Sequence, residues 1–175
     1  PGQSWFAWSC LLGILLGQNG ERKSGFDSGS SKLEIIDLGC GDGTLTVEMA
    51  KFATRVIGVD YNSEILASAR QRIDRLGLKN VSLIAENVSQ LSLPDESLDV
   101  VFFSQSLHHL DDPKSGFKEA ARILRPGGQV LVMELAAHSE GWVLEKLGHK
   151  WQGFEKETLL DFLLTAGFTQ LHSEI

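Results

Sequence analysis

Three glycines at alternate positions, Gly39, Gly41 and Gly43, follow the acid Asp37, and a further acid, Asp60, comes about 20 residues later. Glycine lets a backbone take positive φ, or lets a ligand approach with no Cβ in the way. A strand that ends in such a turn and opens a helix offers free backbone N–H groups at its carboxyl end, as nucleotide pockets do. The acids narrow the choice of nucleotide. Asp37 and Asp42 bracket the turn, and each carboxylate would oppose a nearby pyrophosphate by roughly 4 kcal/mol at ~4 Å in a partly buried site. The dinucleotide fingerprint G-x-G-x-x-G would place its third glycine where Thr44 stands. Asp60, a pure hydrogen-bond acceptor, suits a ribose diol. The pattern describes a ligand with a ribose and positive charge and no phosphate, such as S-adenosylmethionine.

A second group of reactive types lies at Ser104, Gln105, His108 and His109. Ser104 and Gln105 end an apolar run beside the glycine turn, at the sheet's switch point, where ligands bind. Of the two histidines, one is read as a general base near neutral pH or as a holder of substrate, the alternative being loop caps bonded to backbone carbonyls. The two cysteines, Cys10 and Cys40, are too few for a disulfide framework or a cysteine-rich metal site, and no metal-ligating set is read. Cys40 reads as a small buried filler.

The elements that must position these residues alternate. Leu33 to Leu38 reads as a buried strand, Thr44 to Phe52 as a helix, and Arg55 to Asp60 as a second strand. Ser63 caps a helix through Leu76 that Gly77 stops. Val81 to Ala85 and Leu98 to Phe103 are further strands. Pro113 opens a helix through Leu124, and Pro126-Gly127-Gly128 turns into a strand from Gln129 to Leu135. After Phe154 come a helix from Lys156 to Ala166 and a sixth strand from Phe168 to His172. Several strands are apolar on both faces. The expectation is an α/β fold: one Rossmann-like, doubly wound, mainly parallel sheet with helices on both faces.

The 175 residues are enough for one domain, and 42% hydrophobic with 22% charged residues is ordinary for a soluble one. A net charge of −7 offers no footprint for a phosphate backbone, so direct nucleic-acid binding is not expected. Low cysteine use points to a reducing, cytoplasmic setting. Trp5 to Leu16 is too short for a membrane span and lacks a basic flank, so no membrane role is expected. It reads as a helix capped by Ser4, either packed on the domain or on a neighbour, or serving as a lid. Gly17 to Lys32 reads as a linker. The division expected is 1–32, an N-terminal helix and linker, and 33–175, the nucleoside-binding domain, lacking a last strand; a chain opening on Pro1 reads as a piece of a longer one.

Asp37-Leu-Gly-Cys-Gly-Asp-Gly43, Val59-Asp60, Ala85-Glu-Asn87, Ser104-Gln-Ser-Leu-His-His109 and Leu124-Arg-Pro-Gly-Gly128 resemble the successive motifs of class I S-adenosylmethionine-dependent methyltransferases, in order and spacing. Pro1-Gly-Gln-Ser-Trp5 and Trp142 through Phe154 are similar to the methyltransferase halves fused behind ArsR-type winged-helix regulators. The resemblance implies S-adenosylmethionine as cofactor and in-line methyl transfer to a small-molecule acceptor. It implies that Gly39 and Gly41 admit the methionine portion and that Asp37 takes its ammonium, directly or through water, or else only caps. Asp60 would hold the ribose. Tyr61 and Asn62 would line the adenine, with Tyr61 equally readable as core, and Glu86, Asn87 and Val88 would flank its edge. Trp142 to Phe154 is read as an acceptor-facing wall, as extra core, or as the surface of a homodimer. Two other readings stand beside this one: a non-catalytic sensor of S-adenosylmethionine or its demethylated product that reports to a fused or partner winged-helix regulator, and a nicotinamide-dependent dehydrogenase, disfavoured by Thr44 and the paired acids. Arsenite methylation needs more thiolates than two cysteines supply.

Overall fold

The computed structural model describes residues 33–171 and 173; the expected helix, lid and linker in 1–32 lie outside them. Five strands, β1 (Glu34–Leu38), β2 (Arg55–Val59), β3 (Val81–Ile84), β4 (Leu98–Ser104) and β5 (Leu124–Met133), form one sheet in the order β3-β2-β1-β4-β5. Every pairing is parallel. Alternate residues of a strand face opposite sides, and both sides here are apolar. Ile36, Leu38, Val101 and Phe103 join one core with helices α3 (Pro113–Ile123) and α5 (Lys156–Thr165). Ile35, Val56, Val100 and Phe102 join another with α1 (Thr44–Met49). The expected doubly wound sheet is present, with β1 and β4 as the neighbours from which the chain departs to opposite sides.

Local chemistry moves several boundaries. Helix α2 (Ser63–Leu76) is capped by Asn62, whose side chain accepts from the Glu64 and Ile65 N–H groups, and not by Ser63. Gly77 ends it at φ 65 as expected. Strand β5 starts at Leu124, earlier than the expected Gln129. Its Pro-Gly-Gly turn is carried as an irregularity, Leu98 facing Leu124 and Val100 facing Gln129. The Arg125 guanidinium pins that irregularity to Asp99 at 2.7 Å and to Glu34 at 2.6 Å. The strand stops at Met133 because Glu134 turns its carboxylate back onto the Leu107 and Leu135 N–H groups.

The sixth strand expected at Phe168–His172 is absent among the described residues. Phe168 donates its N–H to the Leu163 carbonyl in the closing turn of α5, and Gln170 takes φ 56, which extended pairing does not allow. Residues between β5 and α5 fold back over the sheet's carboxyl edge, with the short helix α4 (Trp142–Lys146) at their tip. Ala136 bridges Phe154, and Lys150 and Trp151 both donate their N–H groups to the His108 carbonyl. Among the described residues no helix is long and apolar enough to cross a membrane.

The turn after β1 shows how tightly this edge is built. Gly39 has φ 80, and a Cβ there would lie 2.4 Å from the Ser106 Cβ; Gly41 has φ 55 and nothing within 4 Å. Gly39→Ala should lower unfolding stability in urea by about 2–5 kcal/mol, strain and overpacking combined. Gly41→Ala should cost about 1–2 kcal/mol, the strain alone.

Candidate functional site

The glycine turn spends its N–H groups on the protein. Gly39 and Cys40 both donate to the Val59 carbonyl, at 2.8 and 2.9 Å. Gly41 donates to Asp60 Oδ2 at 3.0 Å, Gly43 to the Cys40 carbonyl at 3.0 Å, and Thr44 to Asp42 Oδ1 at 3.0 Å. The sequence suggested donors free for a ligand; parallel β2 and Asp60 at its end take those of Gly39, Cys40 and Gly41, and the turn itself takes those of Gly43 and Thr44. Little remains to cradle a phosphate, while carboxylates stay available.

Asp37 is 1% exposed. Its Oδ2 accepts from the Thr46 hydroxyl at 2.6 Å, and Oδ1 is shielded from solvent with no partner among the described residues. Burial first, and then the charge of Asp60, push its carboxyl up to about 6, against the Thr46 hydrogen bond that lowers it. A buried carboxylate oxygen without a donor is costly, and a cationic donor is the group that would relieve it. Asp60 sits half-buried at the end of β2, bonded to the Gly41 N–H through Oδ2 and to the Asn62 N–H at 2.9 Å through Oδ1. Each oxygen keeps a second lone pair for a diol.

Asp42 differs from its expected role. It is exposed and pairs with Arg72 at 2.5 Å. Partial burial opposes ionisation, yet the Thr44 hydrogen bonds and Arg72 hold the carboxyl below its ordinary range. Its charge is met on the protein surface. Tyr61 is 78% exposed and is no part of the core. Asn62 uses its side-chain oxygen to cap α2, so it does not line an adenine with that oxygen. At the end of β3, Glu86 accepts from the Ser92 N–H and Asn87 Oδ1 from the Ser89 N–H. Val88 is buried in the core. Cys40 is buried, its thiol pushed far up by burial and then by Asp37, and is inert filler as read.

On the other side of the crevice, Ser104 ends β4 half-buried. Gln105 takes φ 50 while its N–H bonds the Met133 carbonyl at 2.7 Å; such a left-handed non-glycine residue is strained. The Ser106 hydroxyl donates to the Leu38 carbonyl at 2.7 Å and lies against Gly39. His108 is buried, and its Nδ1 is 2.6 Å from Glu134 Oε1 in a pair only 4% and 1% exposed at the side chains. His109 is exposed. Its ring and that of His149 approach His108 with centroids 4.3 and 4.1 Å away, and each other at 4.9 Å. Burial first, then His108, lowers the basicity of both His109 and His149.

Glu134 was missed in the sequence, and His149 was read only as part of the Trp142–Phe154 wall, not as a neighbour of His108. Glu134 had a signal: it follows the apolar strand β5 as Asp60 follows β2 and Glu86 closes β3. The pairing of His149 with His108 had none, because the chain fold alone brings its loop there.

The family model described as a methyltransferase domain matches residues 36–132. A protein of Mycolicibacterium smegmatis described as a probable S-adenosylmethionine-dependent methyltransferase is 38% identical over 99 residues, covering 57% of this chain and 37% of its own length. The ubiquinone biosynthesis O-methyltransferase of Serratia proteamaculans is 31% identical over 118 residues, covering 67% of this chain and 48% of its own. The chain thus spans less than half the length of either relative. In fold it is similar to an N-methyltransferase of Haemonchus contortus, solved with phosphomonomethylethanolamine and S-adenosylhomocysteine. That likeness has a TM-score of 0.76 at 21% identity and covers 95% of this chain and 38% of that one.

The buried Asp37 makes a pH-dependent prediction. Its folded value, about 6, lies above the ordinary 3.8, so between these values the folded protein keeps a proton that the unfolded chain has lost. Stability from this group therefore falls as pH rises through that window and stays low above it. Asp37→Asn should raise the denaturation free energy at pH 8 by roughly 2–3 kcal/mol and gain almost nothing at pH 4.

Proposed function

The chain belongs to the methyltransferase domain family, and from that premise we propose that it transfers the methyl group of S-adenosylmethionine to a small-molecule acceptor. The observation that carries this reading is the division of labour in the glycine turn: the N–H groups of Gly39, Cys40, Gly41 and Gly43 are bonded within the protein, while the Asp37 and Asp60 carboxylates keep free lone pairs. A ligand with an ammonium and a ribose diol fits those groups, and a pyrophosphate does not. When bound, S-adenosylmethionine supplies a methyl group on an electron-poor sulfonium sulfur.

This chain's part is binding, alignment and exclusion of water. Gly41, open on its Cβ side, keeps the approach to the methionine portion free of side chains, while Gly39, packed against Ser106, lets the turn sit close beside the end of β4. Asp37 Oδ1 receives the ammonium, directly or through water, and Asp60 holds the ribose. Tyr61, at the end of β2, and the Glu86-Asn87-Val88 turn, at the end of β3, bound the adenine. Ser104 and Gln105 face the methyl. His108, held at Nδ1 by Glu134, keeps Nε2 for the acceptor; with His109 it takes the acceptor's proton or holds the acceptor in place. Residues 33–175 form this domain in our reading, and 1–32 a separate segment. The fused or partner winged-helix regulator rests on the sequence resemblance of Pro1–Trp5 and Trp142–Phe154.

Calorimetric titration with S-adenosylhomocysteine and with NAD tests the reading. The thioether nucleoside should bind tighter; tighter NAD binding would sink it. Asp60→Asn, which turns one acceptor oxygen into a donor, should weaken the nucleoside by about 1.5–3 kcal/mol. A panel of small metabolites incubated with radiolabelled methyl donor should yield at least one methylated product. Nucleoside binding with no product from any class would favour the sensing alternative.

A further inference from the structure

We propose that His108, His109 and His149 form a binding site for one divalent transition-metal ion of the zinc type, at the acceptor side of the crevice. Each of the three offers a ring nitrogen within 4.8 Å of the other two. Nitrogens around one tetrahedral zinc stand about 3.3 Å apart, so modest ring rotations would close the set. The rings come from two places, the single turn Leu107–His109 and the loop before Trp151.

That loop is held. The Lys150 and Trp151 N–H groups donate to the His108 carbonyl at 2.7 and 3.2 Å, and Trp151 Nε1 donates to the Leu110 carbonyl at 2.9 Å. Gly153 takes φ 73 with its open side against the Ala136 carbonyl, 2.2 Å from where a Cβ would stand. The fold therefore brings His149 to His108 before any ion arrives.

Two features separate the cluster from a chance stack of rings. Glu134 occupies His108 Nδ1 at 2.6 Å and is itself fixed by the Leu107 and Leu135 N–H groups. This leaves Nε2 as the ligating nitrogen and reproduces the carboxylate–histidine support common behind metal ligands. His149 Nδ1 is shielded from solvent without a hydrogen-bond partner among the described residues, which a ligand position would explain. Three imidazoles suit zinc, copper, iron or nickel and leave a fourth position open. Exposed His109 marks the way in.

His108 and His109 follow closely on Ser106, which packs on Gly39, so the site borders the crevice. This step rests on the reading that the acceptor stands over β4. An ion there would take the acceptor by a lone pair, which selects oxygen, nitrogen or sulfur acceptors over carbon ones and makes His108 a ligand in the loaded protein.

The experiment titrates the full chain, stripped by chelator, with zinc chloride in a calorimeter and with cobalt chloride by visible absorption. One zinc per chain and tetrahedral cobalt bands are expected. His149→Ala and the bulkier His149→Gln should each weaken zinc at least 100-fold, and Glu134→Gln should weaken it about 10- to 100-fold. His138→Ala, outside the trio, should leave affinity within threefold. No uptake by the wild-type chain, or uptake unchanged by both His149 variants at normal thermal melting, overturns the site. S-adenosylhomocysteine is titrated in parallel: nucleoside binding without zinc uptake overturns this inference alone, and zinc uptake without nucleoside binding overturns the methyl-transfer reading and leaves the ion site standing.

Discussion

The contact between Gly39 and Ser106 holds the site together. Strands β1 and β4 are parallel neighbours whose chains leave for opposite sides of the sheet, so their carboxyl ends open a crevice. The Ser106 hydroxyl closes its floor by donating to the Leu38 carbonyl, and the missing Cβ of Gly39 lets it sit there. Asp37 and the glycine turn lie on one side of that contact; His108 and His109 follow directly on the other. If the two chains stood farther apart, the carboxylates and the histidines would belong to separate surfaces.

Around this floor the fold tolerates polar groups that a stability-driven core would omit. Asp37 is buried with one oxygen unpaired, Gln105 takes a strained left-handed backbone, and Glu134 is buried beneath His108. The first two cost stability in the folded chain, and both border the crevice. Glu134 is different: its oxygens meet His108 and the N–H groups of Leu107 and Leu135, so it is a satisfied support. The unpaired and the strained group thus border the crevice, and the satisfied one lies behind His108.

The names of similar proteins differ in the reaction they carry, an O-methyltransferase and an N-methyltransferase among them. In the proposed reading, the nucleoside side is built from the ends of β1, β2 and β3. In the same reading, the acceptor side is built from the end of β4 and the loop between β5 and α5. That loop is held by backbone hydrogen bonds to His108 and by Phe154, which is buried in the core with Trp151 stacked on it at 5.4 Å.

Much of this was legible in the sequence because it depends on neighbours along the chain. Apolar runs broken by glycine and proline marked all five strands, and Asp37, Gly39, Gly41 and Asp60 fell at strand ends by simple counting. Errors arose where two local signals competed. Asn62 and Ser63 can both cap a helix, and backbone geometry chose Asn62; Phe168–His172 is apolar enough for a strand, yet the closing turn of α5 claimed the Phe168 N–H. By itself, then, the sequence determined the parallel sheet and the acids and glycines that border its crevice, since strand and turn patterns are short-range. Only the tertiary structure decided that Val59 would absorb the turn's donors, that Arg72 would neutralise Asp42, and that Glu134 and His149 would meet His108. Those partners are far apart in sequence, and packing of the sheet and its covering loop is what brings them within reach.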